Sequence, residues 1–260
     1  KHYPTMSEAW GSDGMFYHGR DWKANVVFSM QDVWVLDPQF LSKVTWCPYA
    51  PIDKEPIPPN VLDKFRYAYK IMCFSKFGYD LLLKSGFSST FITEGTDVEI
   101  FKPSDRIEAR KKLGLPLDNF YFSMVGANKE NPPRKGYQEA LEAFKMFHDK
   151  HPEAALLFHT QQRAPGGFPI KEYAQYLGVL GRTFFIDDYK SMFVSTSDMI
   201  ALEYNACNVQ LHPSQTEGFG LGIIECQAVG IPSIVQRCQC YDEKTRILTV
   251  GGIKSFEEVS

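Results

Sequence analysis

Short apolar runs alternate with segments in which apolar residues recur at helical spacing, and this alternation extends over most of the chain. The runs at 70–74, 120–125 and 154–159 are short and bounded by turn-forming residues, as buried strands are. Segments such as 137–151 place apolar side chains three and four residues apart, which is typical of an amphipathic helix. Strands that alternate with helices predict an α/β fold built on parallel sheets with helices on both faces.

Two series of strands and helices are predicted, one on each side of residues 94–104. In the first series, strands are predicted at 24–30, 44–46, 70–74 and 90–93, with Asn60 and Ser75 as helix N-caps. In the second, strands are predicted at 120–125, 154–159, 183–186, 209–211 and 234–235, and helices at 106–113, 137–151, 170–177, 199–207 and from Leu221 onward. Residues 94–104 break the alternation and are interpreted as a linker between two domains.

A glycine-rich loop connects a strand to a helix within residues 211–235. The loop contains Gly218, Gly220 and Gly222, and the helical spacing begins at about Leu221. Glycines let backbone N–H groups approach a ligand closely, and the N-terminus of a helix adds partial positive charge. The pattern therefore predicts a place for an anion.

Two carboxylates flank this loop. Glu217 precedes the glycines, and Glu225 lies about one turn inside the helix. A carboxylate can accept hydrogen bonds from two vicinal hydroxyl groups, such as those of a ribose. An ordinary strand–helix turn with two solvated glutamates fits the same spacing, and the spacing alone leaves both interpretations open.

The residues of this segment resemble a family signature. Glu217-Gly-Phe-Gly-Leu-Gly-Ile-Ile-Glu225, followed by Cys-Gln-Ala-Val-Gly-Ile-Pro, is similar to the Glu-x7-Glu signature of glycosyltransferase family 4, which has the GT-B fold. The resemblance extends from about Val26 to Val235. It implies two Rossmann-like domains that face each other across a cleft, both of them incomplete in this sequence. It also implies sugar transfer from a nucleotide-sugar donor with retention of anomeric configuration.

Residues 126–136 form a basic loop that ends at a predicted helix. Lys129, Arg134 and Lys135 lie in it, and cations beside a helix start suit a diphosphate. A solvated basic turn is the alternative. In the resemblance, Lys135 matches a lysine of the family, whereas Ala127 stands where the family places an arginine, so Lys129 or Arg134 would have to replace that contact.

The resemblance also implies roles for individual residues. Glu225 is expected to hold the nucleotide ribose, and Glu217 is expected to lie beside the donor sugar as a catalytic residue. Lys135 is the second expected catalytic residue, because it would neutralise the departing diphosphate. The other expected donor-binding residues are Gly218, Phe219, Gly220, Arg134, Lys129 and His212.

Composition and charge bear on the partners and the location of the protein. The chain has 260 residues, 44% hydrophobic, and a net charge of −3, which gives no reason to expect nucleic acid as a partner. No run of about 18 apolar residues occurs, so membrane contact is expected to be peripheral at most, if the acceptor is a lipid. Scattered cysteines favour a reducing compartment, and a cytoplasmic location is expected.

Metal and cofactor motifs are weak. Cys238 and Cys240 lack the second cysteine pair or histidine cluster of a zinc site, and Asp187-Asp188 lacks the third-position aspartate of an Asp-x-Asp motif. Family 4 enzymes need no metal for departure of the leaving group. No metal and no cofactor is therefore expected, since the nucleotide sugar is a substrate.

The tail from Cys240 to Ser260 departs from the family pattern. Its Cys-x4-Thr-x-Ile-Leu-Thr and Gly-Gly-Ile-Lys-Ser-Phe-Glu-Glu-Val sequences resemble the first block of an intein (Hint) domain. The resemblance implies that the Cys240 thiolate attacks the Gln239 carbonyl and exchanges the amide for a thioester. A plain terminal β-hairpin with Gly251-Gly252 as its turn is the alternative, and both interpretations predict the hairpin.

These observations give a domain plan and three hypotheses of function. The plan is an acceptor-side domain with linker (1–104), a nucleotide-sugar-binding domain (105–239) and an intein-like segment (240–260). The first hypothesis is a metal-independent retaining hexosyltransferase that acts on a glycan, lipid or small-molecule acceptor. The second is a nucleotide-sugar-binding protein without turnover, and the third is the N-terminal part of a protein-splicing precursor.

Overall fold

The computed structural model describes residues 2–189 and 193–236, together with the backbone of the strands Arg246–Thr249 and Gly252–Ser255. Its contacts divide the chain into two compact units. The first comprises Lys1–Glu94 and Glu217–Phe219, and the second comprises Gly95–Thr216 and Gly220–Ser260. The segment 95–104, part of the predicted linker, therefore contacts the second unit.

The first unit alternates helices and short strands. In chain order its elements are α1 (Ser12–Asp21), β1 (Val27–Met30), a 3-10 turn (Val33–Val35), α2 (Pro38–Leu41), β2 (Trp46–Ala50), α3 (Pro59–Phe65), β3 (Ile71–Cys73), α4 (Lys76–Lys84) and β4 (Ser89–Phe91). The strands form one parallel sheet in the order β1-β2-β3-β4. As predicted, the Ser75 side chain caps α4 by accepting a hydrogen bond from the Gly78 amide.

One face of the first sheet is covered by the helices that connect its strands. Trp46 and Ile71 pack there against Leu41, Phe65 and Leu82 of α2, α3 and α4. In the order β1-β2-β3-β4, each strand lies next to its predecessor in sequence, and the sheet grows in one direction only. Right-handed crossovers then place every connecting helix on the same face. Phe28 and Met30 on β1 point the other way and are 67% and 64% exposed.

Prolines account for two further differences from the sequence prediction. Strand β2 continues through Pro48, which the prediction placed after the strand. This is tolerated because β3 pairs with β2 only from Tyr49 onward. Helix α3 begins at Pro59, so Asn60 lies inside the helix and does not cap it. Proline is well suited to the first helical position because its missing N–H has no intrahelical partner there.

The second unit holds the longer elements. They are α5 (Arg106–Leu113), β5 (Phe120–Val125), α6 (Tyr137–His148), β6 (Ala154–His159), α7 (Ile170–Tyr176), a 3-10 turn (Leu180–Arg182), β7 (Thr183–Phe185), α8 (Ser197–Ala206), β8 (Val209–His212), α9 (Leu221–Ala228) and β9 (Ser233–Val235). Its strands form a parallel sheet in the order β7-β6-β5-β8-β9.

Both faces of the second sheet are covered, as predicted. Alternate residues of β6 divide between two cores: Leu157 packs with Tyr204 of α8, and Leu156 packs with Leu141 of α6. All six residues of β6 are buried, which explains the continuous apolar run in the sequence. From β5 the chain moves outward through β6 and β7, and then returns to lay β8 on the other side of β5.

Beyond β9, the strands β10 (Arg246–Thr249) and β11 (Gly252–Ser255) pair in antiparallel fashion. The pairing matches the predicted hairpin, except that Gly252 opposes Thr249 and begins β11. In the part of the chain that the structure describes, no helix has both the length and the apolar composition needed to cross a bilayer.

Candidate functional site

The loops after β5 and β8 touch each other at the point where the strand order reverses. The Gln215 amide donates a hydrogen bond of 2.9 Å to the Arg134 carbonyl. The Arg134 guanidinium donates in return to the Thr216 carbonyl. In open parallel sheets, ligands bind outside the carboxyl ends of the strands at such a reversal. The fold therefore places the predicted basic loop and the start of the glycine-rich loop at the edge where a ligand is expected.

Gly136 allows these loops to meet. Its φ is +71°, which a side chain disfavours, and a Cβ at this position would lie 2.5 Å from the Pro213 carbonyl oxygen. Gly136 directly precedes α6, and Gly220, with φ +87°, directly precedes α9. The two helices thus begin with glycines at the carboxyl ends of adjacent strands, and their first N–H groups offer donors to an anion.

The three cations of the basic loop have different surroundings. Lys135 is half-buried, and its methylene chain lies 3.6 Å from the Cβ position of Gly126. Arg134 also approaches Glu130, with 3.4 Å between its Nε and the carboxylate Oε1. Lys129 is exposed. Arg134 therefore holds the two loops together, whereas Lys135 lies closest in sequence to the first turn of α6.

Tyr137 and Asn128 hold the basic loop in place, and no local sequence pattern indicates either residue. The Tyr137 hydroxyl donates to the Gly126 carbonyl at 2.7 Å and lies 2.9 Å from the Thr160 hydroxyl. Burial raises the pKa of Tyr137 to about 12, so this hydroxyl remains a donor. Asn128, 2% exposed, donates to the Phe168 carbonyl and accepts from the Phe168 amide. Both anchor the loop to residues that follow β6.

Glu225 is half-buried on α9. Burial raises the pKa of its carboxyl group, and a hydrogen bond from the Tyr204 hydroxyl opposes that rise. Tyr204 is fully buried on α8 and accepts a hydrogen bond from Gln210 on β8 at 3.4 Å. Gly222 completes this arrangement, because a Cβ there would lie 3.0 Å from the Tyr204 hydroxyl. The carboxylate is thus supported by the core of the second unit.

The remaining predicted residues lie in several places. Glu217, Gly218 and Phe219 belong to the first unit, where Glu217 is 8% exposed and a Cβ on Gly218 would meet the Pro51 Cβ at 2.5 Å. His212 is buried at the end of β8. Cys240 lies outside the described residues.

Metal-ligating side chains do not cluster within residues 2–189 and 193–236 or the described tail strands. No group of three or more His, Cys, Asp or Glu residues there could hold a metal ion. Asp188, from the Asp187-Asp188 pair, accepts a hydrogen bond of 2.9 Å from the Gln162 amide. Its carboxylate therefore holds the loop after β6.

The second unit is a Rossmann-like α/β unit whose strand order reverses beside two glycine-started helices. A family model described as "Glycosyl transferases group 1" matches residues 105–245, more than half of the chain. The chain therefore belongs to the group 1 glycosyltransferases, and its fold is of the GT-B class.

Relatives of known name agree with this family. The D-inositol 3-phosphate glycosyltransferase of Acidothermus cellulolyticus is 29% identical over 153 residues, which cover 56% of this chain and 32% of that protein. The chain thus spans about a third of the length of the curated relatives it matches.

Solved structures share the fold. Sucrose-phosphate synthase from Thermosynechococcus elongatus has a TM-score of 0.68 at 20% identity, with 87% of this chain and 59% of that chain covered. Anabaena HepE, solved in complex with UDP and glucose, has a TM-score of 0.63 at 16% identity, with 91% and 66% covered. At these identities the likeness concerns the fold alone.

The Gly136→Ala substitution tests the contact between the two loops. We expect it to lower the free energy of unfolding by about 3 kcal/mol or more, because the methyl group meets the Pro213 carbonyl in addition to the cost of the positive φ. Gly114→Ala is the matched control, since Gly114 has φ +67° and open space around its Cβ position. It should cost only about 1 kcal/mol. Urea denaturation measures both values, and equal losses would contradict the proposed close approach.

The raised pKa of Glu225 predicts a pH-dependent stability. The folded state binds the Glu225 proton more tightly than the unfolded state, so the wild type loses stability as pH rises above the ordinary value of 4.5. Glu225→Gln does not titrate. Its free energy of unfolding should therefore increase relative to wild type as pH rises from the ordinary value of 4.5.

Glu142 provides a control of opposite sign for this measurement. A hydrogen bond from Tyr173 lowers the pKa of Glu142, so the ionised form contributes stability that is lost as pH falls. Glu142→Gln should therefore lose stability relative to wild type as pH rises. Denaturation curves at a series of pH values give both trends, and a pH-independent difference for Glu225→Gln would refute the expectation.

Proposed function

We propose that the chain carries the donor site of a retaining glycosyltransferase that uses a nucleotide sugar. One observation carries the proposal: two glycine-started helices, a half-buried lysine and a half-buried carboxylate all belong to the loops and helices that follow β5 and β8. Helix N-termini and Lys135 suit a diphosphate, and Glu225 suits the vicinal hydroxyls of a ribose. HepE, a protein of similar fold, was solved with UDP and glucose bound, which is consistent with a nucleotide-sugar donor.

The proposed reaction breaks the bond between the anomeric carbon and the donor phosphate oxygen. An acceptor hydroxyl oxygen forms the new bond on the same face of the sugar, and its proton passes to the departing phosphate. Negative charge develops on the diphosphate as it leaves, so Lys135 and the first amides of α6 and α9 stabilise the transition state. No side-chain nucleophile, metal or cofactor takes part in this scheme.

The remaining residues take roles from the Glu-x7-Glu resemblance. Glu217 would lie beside the donor sugar. The amides of Gly218, Phe219 and Gly220 would contact phosphate or sugar, with help from His212. Arg134 and Lys129 would supplement the charge of Lys135. Arg134 contributes indirectly as well, because it holds the two loops together.

A protein that binds nucleotide sugars without turnover is the second candidate. It is favoured by Ala127, an exposed residue where the family places an arginine. Product formation from any nucleotide sugar would exclude it. For the enzyme, we propose a cytoplasmic location, supported by the buried thiols of Cys47, Cys73, Cys207 and Cys226. An acceptor carried on a lipid would bring the protein to the membrane surface.

We also propose that Cys240 is a splice-junction nucleophile, on the strength of the intein-like tail. Splicing would remove the segment that begins at Cys240 and join Gln239 to a later part of the precursor. This proposal concerns the tail and is compatible with the glycosyltransferase.

Alanine substitutions at Lys135 and Glu225 test the donor site. Each should weaken UDP binding by about tenfold or more, because each removes a charged hydrogen-bonding partner of the ligand. Isothermal titration calorimetry gives the affinities. Lys145→Ala is the control, since Lys145 is on α6 but pairs with Asp149, and its affinity should equal that of the wild type. Unchanged affinity in both site variants would overturn the assignment.

Peptide mapping of the mature protein tests the splice junction. Trypsin cleaves after Arg237 and Lys244, so an unspliced chain yields the peptide 238–244. Splicing predicts that this peptide is absent and that a peptide joining Gln239 to a residue other than Cys240 appears. Recovery of 238–244 as the sole product from this region would refute the intein hypothesis.

A further inference from the structure

A buried acid–imidazole pair lies at the carboxyl end of β6. The His159 Nδ1 atom is 2.7 Å from the Glu203 Oε2 atom of α8, and the two residues are 8% and 1% exposed. A carboxylate accepts only from a protonated nitrogen, so Nδ1 carries the proton whether the imidazole is neutral or charged. Glu203 therefore fixes the ring and directs Nε2 to a single position.

Packing alone does not account for Glu203. Its second oxygen, Oε1, is buried and has no hydrogen-bond partner among the described residues. The neighbouring Tyr204 and the nearby Ala201 and Ala206 belong to an apolar core. A buried, half-satisfied carboxylate costs free energy, and an apolar side chain of similar volume would stabilise such a position better. The reason for the carboxylate must therefore lie in what it does to His159.

His159 lies beside the proposed donor site. Its carbonyl accepts a hydrogen bond of 3.1 Å from the Gly126 amide, the first residue of the basic loop. The next residue, Thr160, contacts Tyr137 at the start of α6. The imidazole is therefore one strand away from the diphosphate-binding elements, on the side of β5 opposite to β8.

The outer nitrogen of His159 has a weak partner. Its Nε2 atom is 3.4 Å from the Ser195 hydroxyl, which is long for a hydrogen bond that involves a hydroxyl group. Ser195 is half-exposed just before α8. Such a contact can be exchanged for a better one without a large loss, so the nitrogen is available to a ligand.

The chemistry of this nitrogen matches one part of a nucleotide. Phosphates suit cations and helix N-termini, and ribose hydroxyls suit a carboxylate, and these are provided by Lys135, α6, α9 and Glu225. A locked imidazole offers one hydrogen bond at one fixed point. The edge of a nucleobase, where N–H and C=O groups have fixed positions that differ between bases, is the part that such a group can discriminate.

We propose that His159, held by the positioning residue Glu203, is a base-recognition residue of the donor site, and that Ser195 occupies its Nε2 atom when no nucleotide is bound. This inference rests on the proposed function, because it names the part of the donor that the same site reads.

The test compares nucleotides that differ only in the base. The affinities of wild type and His159→Leu for UDP, GDP and ADP are measured by isothermal titration calorimetry, with inorganic pyrophosphate as the probe of the phosphate site. We expect the wild type to prefer one base. His159→Leu should lose roughly tenfold in affinity for that nucleotide, the equivalent of one hydrogen bond, and should bind the three more equally. Pyrophosphate binding should not change.

Two further variants separate recognition from structure. Glu203→Met should lose the base preference while its thermal midpoint stays the same or rises, which a structural role for Glu203 would not allow. Ser195→Ala should keep the preference. A wild type without base preference, or an unchanged preference in either His159→Leu or Glu203→Met, overturns the assignment. Failure of the wild type to bind any nucleotide or pyrophosphate would instead refute the proposed function, and this inference with it.

Discussion

The architecture of the second unit depends on the close approach between Gly136 and the Pro213 carbonyl. Adjacent parallel strands place their carboxyl ends side by side, but the loops that leave them are free to diverge. Here the absence of a side chain at Gly136 lets the two loops pack together, and the mutual hydrogen bonds of Arg134 with residues 215 and 216 hold them. As a result, α6 and the chain leading to α9 leave the sheet from one common edge.

Buried polar side chains satisfy the backbone N–H and C=O groups of the loops, as ladder hydrogen bonds satisfy those of the strands. A loop carries backbone polar groups that lack regular partners, and those that are covered must be satisfied individually. The Asn128 side chain accepts a hydrogen bond from the Phe168 amide and donates one to the Phe168 carbonyl. The Gln210 side chain donates a hydrogen bond of 3.1 Å to the Gly222 carbonyl. Each of these side chains comes from a strand or from a residue close to a strand end. The edge of the sheet is therefore rigid because its loops are anchored to the sheet itself.

The parts of the fold that could be predicted from the sequence are those with a local physical signal. β6 is buried on both faces, so its apolar run has the predicted boundaries, and α5 likewise begins and ends at the predicted residues. The failures also have local causes. The local sequence does not show that β3 pairs with β2 only beyond Pro48, and the buried residues of α1, Ser12 and Asp13, are polar and give no apolar signal.

The residues of the candidate site also fall into those that a local sequence pattern indicates and those that it does not. Lys135 and Glu225 are predicted from the sequence because glycines beside charged residues at a helix start form a short-range pattern. Tyr137, Asn128 and Glu203 gave no such signal, since the partners of each are distant in sequence. Asn128 bonds to Phe168, and Glu203 bonds to His159. Only the order of strands in the sheet brings these pairs together, and that order is a property of the whole chain.

Glu225 and Glu203 show why such groups persist although they cost stability. Glu203 is removed from water by burial on α8, and Glu225 on α9 is partly removed from water. A solvated carboxylate satisfies its oxygens with water and moves freely, so it binds a hydroxyl group or orients an imidazole poorly. A desolvated one has few partners, so each hydrogen bond that it accepts is stronger and better directed. The free energy lost by burial is thus the source of the directionality that a binding site needs. This relation accounts for the position of these two carboxylates close to the carboxyl edge of the sheet. The apolar cores of the second unit supply the stability that offsets their cost.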